Sequence, residues 1–188
     1  MSVRTLRAVL SVAIVAAVGL VAPVALQQPV AAAPAGWAEF RHPTFGFSLN
    51  YPRSWDVLSG QGRAAFVAVG PQVAGAPGVR LGVVVVTMTL PPGSTLDAAA
   101  EELEQKLASE AATTRLLRQD RFDLHGTPAL LVYVVRKNAQ GVALYQMVMM
   151  LAHRNRGYAV AGTTAAESPR YTDDTALLQR IMLTFRPR

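Results

Sequence analysis

The chain has 188 residues, 51% of them hydrophobic and 16% charged, with a formal net charge of +6 and no cysteine. One domain of ordinary size accounts for that length. The composition is too apolar for a disordered chain, and no repeat of about 20–50 residues recurs to make a solenoid. The missing cysteine excludes disulfides, thiolate chemistry and a cysteine-linked lipid anchor, so stability must come from a buried core.

At the N-terminus, Arg4 and Arg7 precede a charge-free apolar run over 8–26. That is the layout of an export signal: a positive patch stays on the cytoplasmic side while the apolar segment enters the membrane. The small residues Val30, Ala31 and Ala32 place the peptidase cut after Ala32. A cut after Ala33 would leave Pro34 in first position, where its ring is poorly accepted, and a cut after Ala35 is the other option. The competing reading is a retained anchor helix, since an apolar run over 8–26 can span a bilayer. Pro23 and the Ala-rich stretch after it favour cleavage. The expected organisation is thus a signal over 1–32, a short flexible lead-in over 33–36 and a single domain over 37–186.

Two of the six excess charges leave with the signal, so the mature domain is only mildly basic. Its arginines, among them Arg41, Arg53, Arg63, Arg80, Arg115, Arg118 and Arg121, stand singly and do not interleave with aromatics. This argues against nucleic acid as a partner. Such a surface suits anionic headgroups or acidic proteins met at a membrane.

Regular structure is expected from Trp37. Residues 40–52 read as two short strands about a turn, with Phe45, Phe47 and Leu49 alternating toward one side and Pro52 ending the second strand. Two more short strands follow, around Val57 and over 64–69, separated by turn-rich 59–62, and 70–78 reads as a loop. The run 81–90 is apolar and β-branched at odd and even positions alike, which places it inside a sheet covered on both faces. Ser94 is positioned to cap a helix whose apolar stripe is Leu96, Ala99, Ala100, Leu103 and Leu107. Strands over 114–123, 129–137, 142–153 and 157–165 are joined by links too short for crossovers, so they form an antiparallel meander. Ser168-Pro169 opens a last helix with Tyr171, Leu177, Leu178, Ile181 and Phe185 on its apolar arc. The fold class is α+β: an α-β-α sandwich with a central antiparallel sheet flanked by helices.

The segment Gly46-Phe47-Ser48-Leu49-Asn50-Tyr51-Pro52-Arg53-Ser54-Trp55 resembles the opening of the PsbP-like family: glycine, aromatic, short strand, Tyr-Pro, Trp. That family includes an extrinsic subunit of photosystem II, a nuclear Ran-binding relative and many exported bacterial proteins of unknown role. Gly126-Thr127-Pro128-Ala129 leading into a strand near Tyr133, Gly157 to Thr163 as a last strand and Ile181 to Phe185 as a closing helix agree with it, with Thr184 where Ser is common. The resemblance spans about residues 37–186 and implies the same α-β-α sandwich. It carries over no site, because the photosystem subunit's metal and docking residues have no matched position in this chain.

Candidate chemistry is sparse. Ser48 follows Gly46-Phe47 as in the first half of a nucleophile elbow, but position 50 is Asn and the segment reads as strand, so Ser48 is a strand serine. His42, His125 and His153 lie far apart, and none has the three-to-five spacing of a local zinc site. His42 before Pro43, and His125 two residues after Asp123, are weak surface metal candidates set against ordinary exposed loop residues. The acids Asp97, Glu101 and Glu104, and the pair Asp173-Asp174, read as solvated helix faces and favourable charge at helix starts. Met147, Met149, Met150 and Met182 could ligate copper(I), but Met147 and Met149 alternate on one strand face beside Tyr145 and Leu151, so the group reads as core filling. No cofactor motif appears.

The sequence therefore predicts a monomeric, non-enzymatic exported accessory protein that acts by protein–protein contact at the outer face of the cell membrane. Its cofactor set is none, and peripheral membrane association is allowed. The alternative is a carrier of a small ligand or lipid in an apolar pocket between the first helix and the sheet.

Overall fold

The computed structural model describes residues 35–58, 64–110 and 112–188. The expected export signal, its cut after Ala32 and the turn-rich 59–62 stretch lie outside them. Strands β1 (Trp37–His42) and β2 (Phe47–Pro52) pair antiparallel around the expected turn, with Phe40 opposite Leu49. A strand not read from the sequence, β10 (Arg186–Pro187), joins the other side of β2 and completes a three-stranded sheet.

The main sheet is built from β3 (Asp56–Leu58), β4 (Ala64–Gln72), β5 (Arg80–Thr89), β6 (Thr114–Leu124), β7 (Thr127–Lys137), β8 (Ala143–His153) and β9 (Arg156–Ala165). Its order is β3-β4-β5-β9-β8-β7-β6, and every neighbouring pair is antiparallel. The meander of β6 to β9 is as the short links demand. The two-faced run around Val84 lies inside the sheet, between β4 and β9.

Strand β4 is longer than the pattern predicts and takes in Gly70, Pro71 and Gln72. Gly70 belongs there for a packing reason. A Cβ at Gly70 would come within 2.5 Å of the Trp55 ring, so the bare backbone is what lets the buried indole lie flat on the strand. The loop that follows is tucked in, with Val73, Ala76 and Val79 buried and the Val73 N–H donating to the Val79 carbonyl at 2.8 Å.

Alternation along the strands sends side chains to two cores. On one face Val83, Val85, Tyr133, Met147, Met149, Tyr158 and Val160 meet Phe47, Leu49, Phe66 and the second helix, α2 (Tyr171–Leu183), through Leu178, Ile181 and Met182. On the other, Val84, Val86, Val132, Val148, Ala159 and Ala161 meet Ala100, Leu103 and Leu107 of the first helix, α1 (Leu96–Ser109). One face is therefore covered by a helix, and the other by a helix together with the small sheet. Close approach of α2 depends on Gly162, where a Cβ would lie 3.0 Å from the Met182 sulfur.

Both helix starts differ from the pattern. Thr95, not Ser94, caps α1: its hydroxyl accepts from the Ala98 N–H at 3.1 Å, while the Ser94 hydroxyl donates back to the Pro91 carbonyl. Arg170 precedes α2 without a side-chain cap. Ser168 instead accepts from the Arg170 N–H and donates to Asp174 at 3.1 Å. Phe185 lies just past the end of α2 but is fully buried, stacked on Phe47.

Candidate docking end of the sheet

Antiparallel pairing gathers at one end of the sheet the β6–β7 turn, the β8–β9 turn, the end of β5 and the start of α1. The β1–β2 turn joins them, because the Tyr158 hydroxyl donates to the Phe45 carbonyl at 2.9 Å. The Arg156 guanidinium lies 5.1 Å from the centre of the Phe45 ring, within cation–π range. The C-terminus is tied in as well, its Arg188 N–H donating to the Gly46 carbonyl at 2.7 Å.

His42 is the last residue of β1, where the chain enters the β1–β2 turn. Its Nδ1 accepts from the Thr44 and Phe45 N–H groups at 3.2 and 3.1 Å, and its ring stacks on Phe45 with centroids 4.4 Å apart. A nitrogen that accepts twice must be unprotonated, which places the ring proton on Nε2. Desolvation, and then the positive charge of Arg156, push the His42 pKa below its ordinary value. It is a structural acceptor rather than a free loop histidine. Asp123 and His125 share the β6–β7 turn, where an Asp123 oxygen accepts from the Gly126 N–H at 2.6 Å. The backbone of His125 is left-handed (φ 53°), and its Nε2 meets the Leu183 carbonyl at 3.1 Å. His42 and the Asp123–His125 pair are thus at the same end of the sheet but engaged in separate turns. Among the described residues no three His, Cys, Asp or Glu side chains are grouped to hold a metal ion.

The other candidates are distributed differently. Ser48 is a buried strand residue, 3.4 Å from the Arg188 guanidinium. Met147, Met149 and Met182 belong to the core on the α2 side and Met150 to the core on the α1 side, so the four do not form one thioether group. On α1, Asp97 pairs with Arg121 at 2.6 Å and Glu104 accepts from the Gln119 amide, so this flank is bonded to β6. Asp174 corrects the solvated-face reading: it is buried and accepts from the Ser168 and Thr164 hydroxyls.

The feature that single-residue motifs could not show is a cleft of about 50 Å³ between the start of α1 and the end of the sheet. Met88, Leu90, Leu96, Ala99, Met150 and Gly157 form its apolar part, with Ser94 and Thr95 at the helix start. Gly157 makes room: a Cβ there would stand 2.9 Å from both Leu90 and Met88. The turn that bounds this end holds Arg154 and Asn155, the Asn155 carbonyl accepting from the Leu90 N–H at 2.9 Å. Arg154 adopts φ 54°, a left-handed conformation that favours glycine and costs an arginine energy. Among the described residues neither Arg154 nor Arg156 pairs with a carboxylate. The Arg-Asn-Arg tripeptide was the one sequence signal for this charge, and it reads locally only as a turn.

No family model and no curated protein matches the chain. Its fold does match solved structures. Cyanobacterial PsbP from Synechocystis sp. PCC 6803 aligns at TM-score 0.62 and 13% identity over 87% of this chain and 99% of that one. LpqN of Mycobacterium tuberculosis, described as involved in cell envelope biogenesis, aligns at 0.52 and 13% over 79% and 88%. A Pseudomonas aeruginosa protein of unknown function, PA94, described as a putative regulator, aligns at 0.51 and 17% over 81% and 97%. The chain therefore has the PsbP-like fold, an α+β fold of mainly antiparallel sheet with two helices among the described residues, as the order of its sequence motifs implied. At these identities the likeness concerns fold.

Proposed function

We propose that this is a non-enzymatic, exported accessory protein that docks onto another protein at the outer face of the cell membrane, with its α-β-α layers as a rigid carrier for one recognition end. The observation that carries this reading is the cleft beside the Arg154–Asn155 turn. Its volume, about 50 Å³, is far below the roughly 300–1,000 Å³ of a site that encloses a small molecule. It is about a third of the ~150 Å³ cavity that admits benzene, so it suits one small aliphatic group on a partner's surface. Cations without carboxylate partners close by supply the orienting charge, which is how polar rims set register and encounter rate. The cell-envelope role in the description of LpqN supports an exported location. Among the described residues no helix is long and apolar enough to cross a membrane.

The test is affinity capture from a membrane fraction with the wild-type protein and with Ala99→Phe, which fills the cleft. Recovery of one specific partner by the wild type, lost with Ala99→Phe while the circular dichroism spectrum is unchanged, is the expected result. Repeated capture of nothing, or equal capture by both, would overturn the reading. The alternative of a lipid carrier requires a pocket several times larger, and its direct check is extraction and mass spectrometry of lipid from the purified protein.

A further inference from the structure

We infer that β6 is a self-association edge, and that two copies of this chain pair antiparallel along it about a two-fold axis at Gln119. The inference is independent of the docking cleft. At one margin of the seven-stranded sheet stands β3, three residues long; at the other stands β6, with eleven. Among the described residues no strand pairs with the outer side of β6. An edge of that length presents a row of unpaired backbone donors and acceptors and is a template for another strand unless something guards it.

The side chains on β6 decide between guarding and pairing. A guard of one charge sign repels a second copy. Here Arg118 and Asp120 have opposite signs and project on one face, bonded to each other at 2.7 Å. The Arg118 guanidinium is also held over the Tyr133 ring, 4.5 Å from its centre. Reversing the strand about Gln119 sets Arg118 of each copy opposite Asp120 of the other. The two intramolecular pairs then close into a ring of alternating charge, and opposite charges directly across a strand pair favour the register. The register shift between Leu116 and Arg118 removes Leu117 from the ladder, so on the α1 side the next pairing is Leu116 against the aliphatic stem of Arg121. Leu117 itself is 43% exposed, one of the two large hydrophobic side chains that the described residues leave open, and it lies in this seam. A purely defensive edge gains nothing from an exposed leucine, whereas an isologous seam covers it twice. A seam of one strand per copy is small, so the dimer is weak and its ion pairs make it salt-sensitive.

The experiment is sedimentation equilibrium of the purified protein from about 10 μM to 1 mM at low and high salt, a range that brackets a weak association. The expected result is a monomer–dimer equilibrium that weakens with salt. Asp120→Arg, at a half-buried position, places four arginines together and should weaken the dimer by about tenfold or more. The double exchange Arg118→Asp with Asp120→Arg rebuilds the alternation and should restore it. Circular dichroism confirms that the variants fold. A monomer at every concentration, a dimer indifferent to Asp120→Arg, or a double exchange that fails to restore association would each overturn the inference.

Discussion

His42 shows how far a residue's surroundings set its role. In the folded chain its neutral form is favoured, because burial desolvates the ring, Arg156 lies nearby and two backbone N–H groups point at Nδ1. The unfolded chain has no such preference and takes up a proton near the ordinary histidine value of about 6.5. The folded pKa is the lower of the two, so between them the unfolded state holds more protons. The His42 contribution is fully present above pH ~6.5 and declines as pH falls from there to the folded pKa. Urea midpoints should therefore drop on acidification through that window. In His42→Asn, whose side-chain oxygen can accept the same two bonds without titrating, the drop should be smaller; an identical pH profile would refute this role. Gly70 makes a second residue-scale case. Gly70→Ala drives a methyl into the Trp55 indole and should cost about 1–3 kcal/mol, with a changed near-ultraviolet tryptophan signal. Both environments are built by residues distant in the chain or by a turn's detailed geometry, which is why the local pattern reads His42 as an exposed loop residue and Gly70 as loop.

Among the elements, α1 and β4 show where pattern succeeds and where it slips. The stripe Ala100, Leu103 and Leu107 is buried as its spacing predicts, because helical period alone determines which side chains share a face. The cap of α1 lies one residue beyond the one the pattern points to. Ser94 and Thr95 are both competent caps, and only the backbone path after Pro91 decides which hydroxyl reaches the free N–H groups. Thr95→Ala should cost about 1 kcal/mol in chemical denaturation and Ser94→Ala clearly less; equal losses would contradict the observed cap. The paired valines of β5 are legible as an inner strand because burial on both faces removes any polar alternation. Asp174 departs from its pattern for the reciprocal reason: an acid in the first turn of a helix reads as solvated, and only the fold brings the Ser168 and Thr164 hydroxyls around it.

At the scale of the whole molecule, the C-terminus closes the structure on its beginning. Arg186 pairs opposite Ser48, and the Arg188 guanidinium reaches Glu39, which also binds Arg41 at 3.0 Å. Deleting residues 186–188 removes that pairing and the backbone bond to Gly46. It should lower stability by about 1–3 kcal/mol, a fall in Tm of about 3–10 °C, measured by calorimetry; an unchanged Tm would show the strand to be ornamental. A two-residue strand is invisible to periodicity, since it is defined only by the β2 edge it meets. The same limit applied to the candidate site. The sequence by itself determined the α+β class, the antiparallel meander, the order of motifs that belongs to the PsbP-like fold and the cysteine-free core, because all of these follow from local period, link length and composition. Tertiary structure alone decided that three turns and a helix start meet at one end of the sheet, that Gly157 opens a cleft there beside Arg154, and that β6 is left, among the described residues, as the long edge without a strand paired to its outer side. Those are properties of which distant segments become neighbours, and no one-dimensional pattern records them.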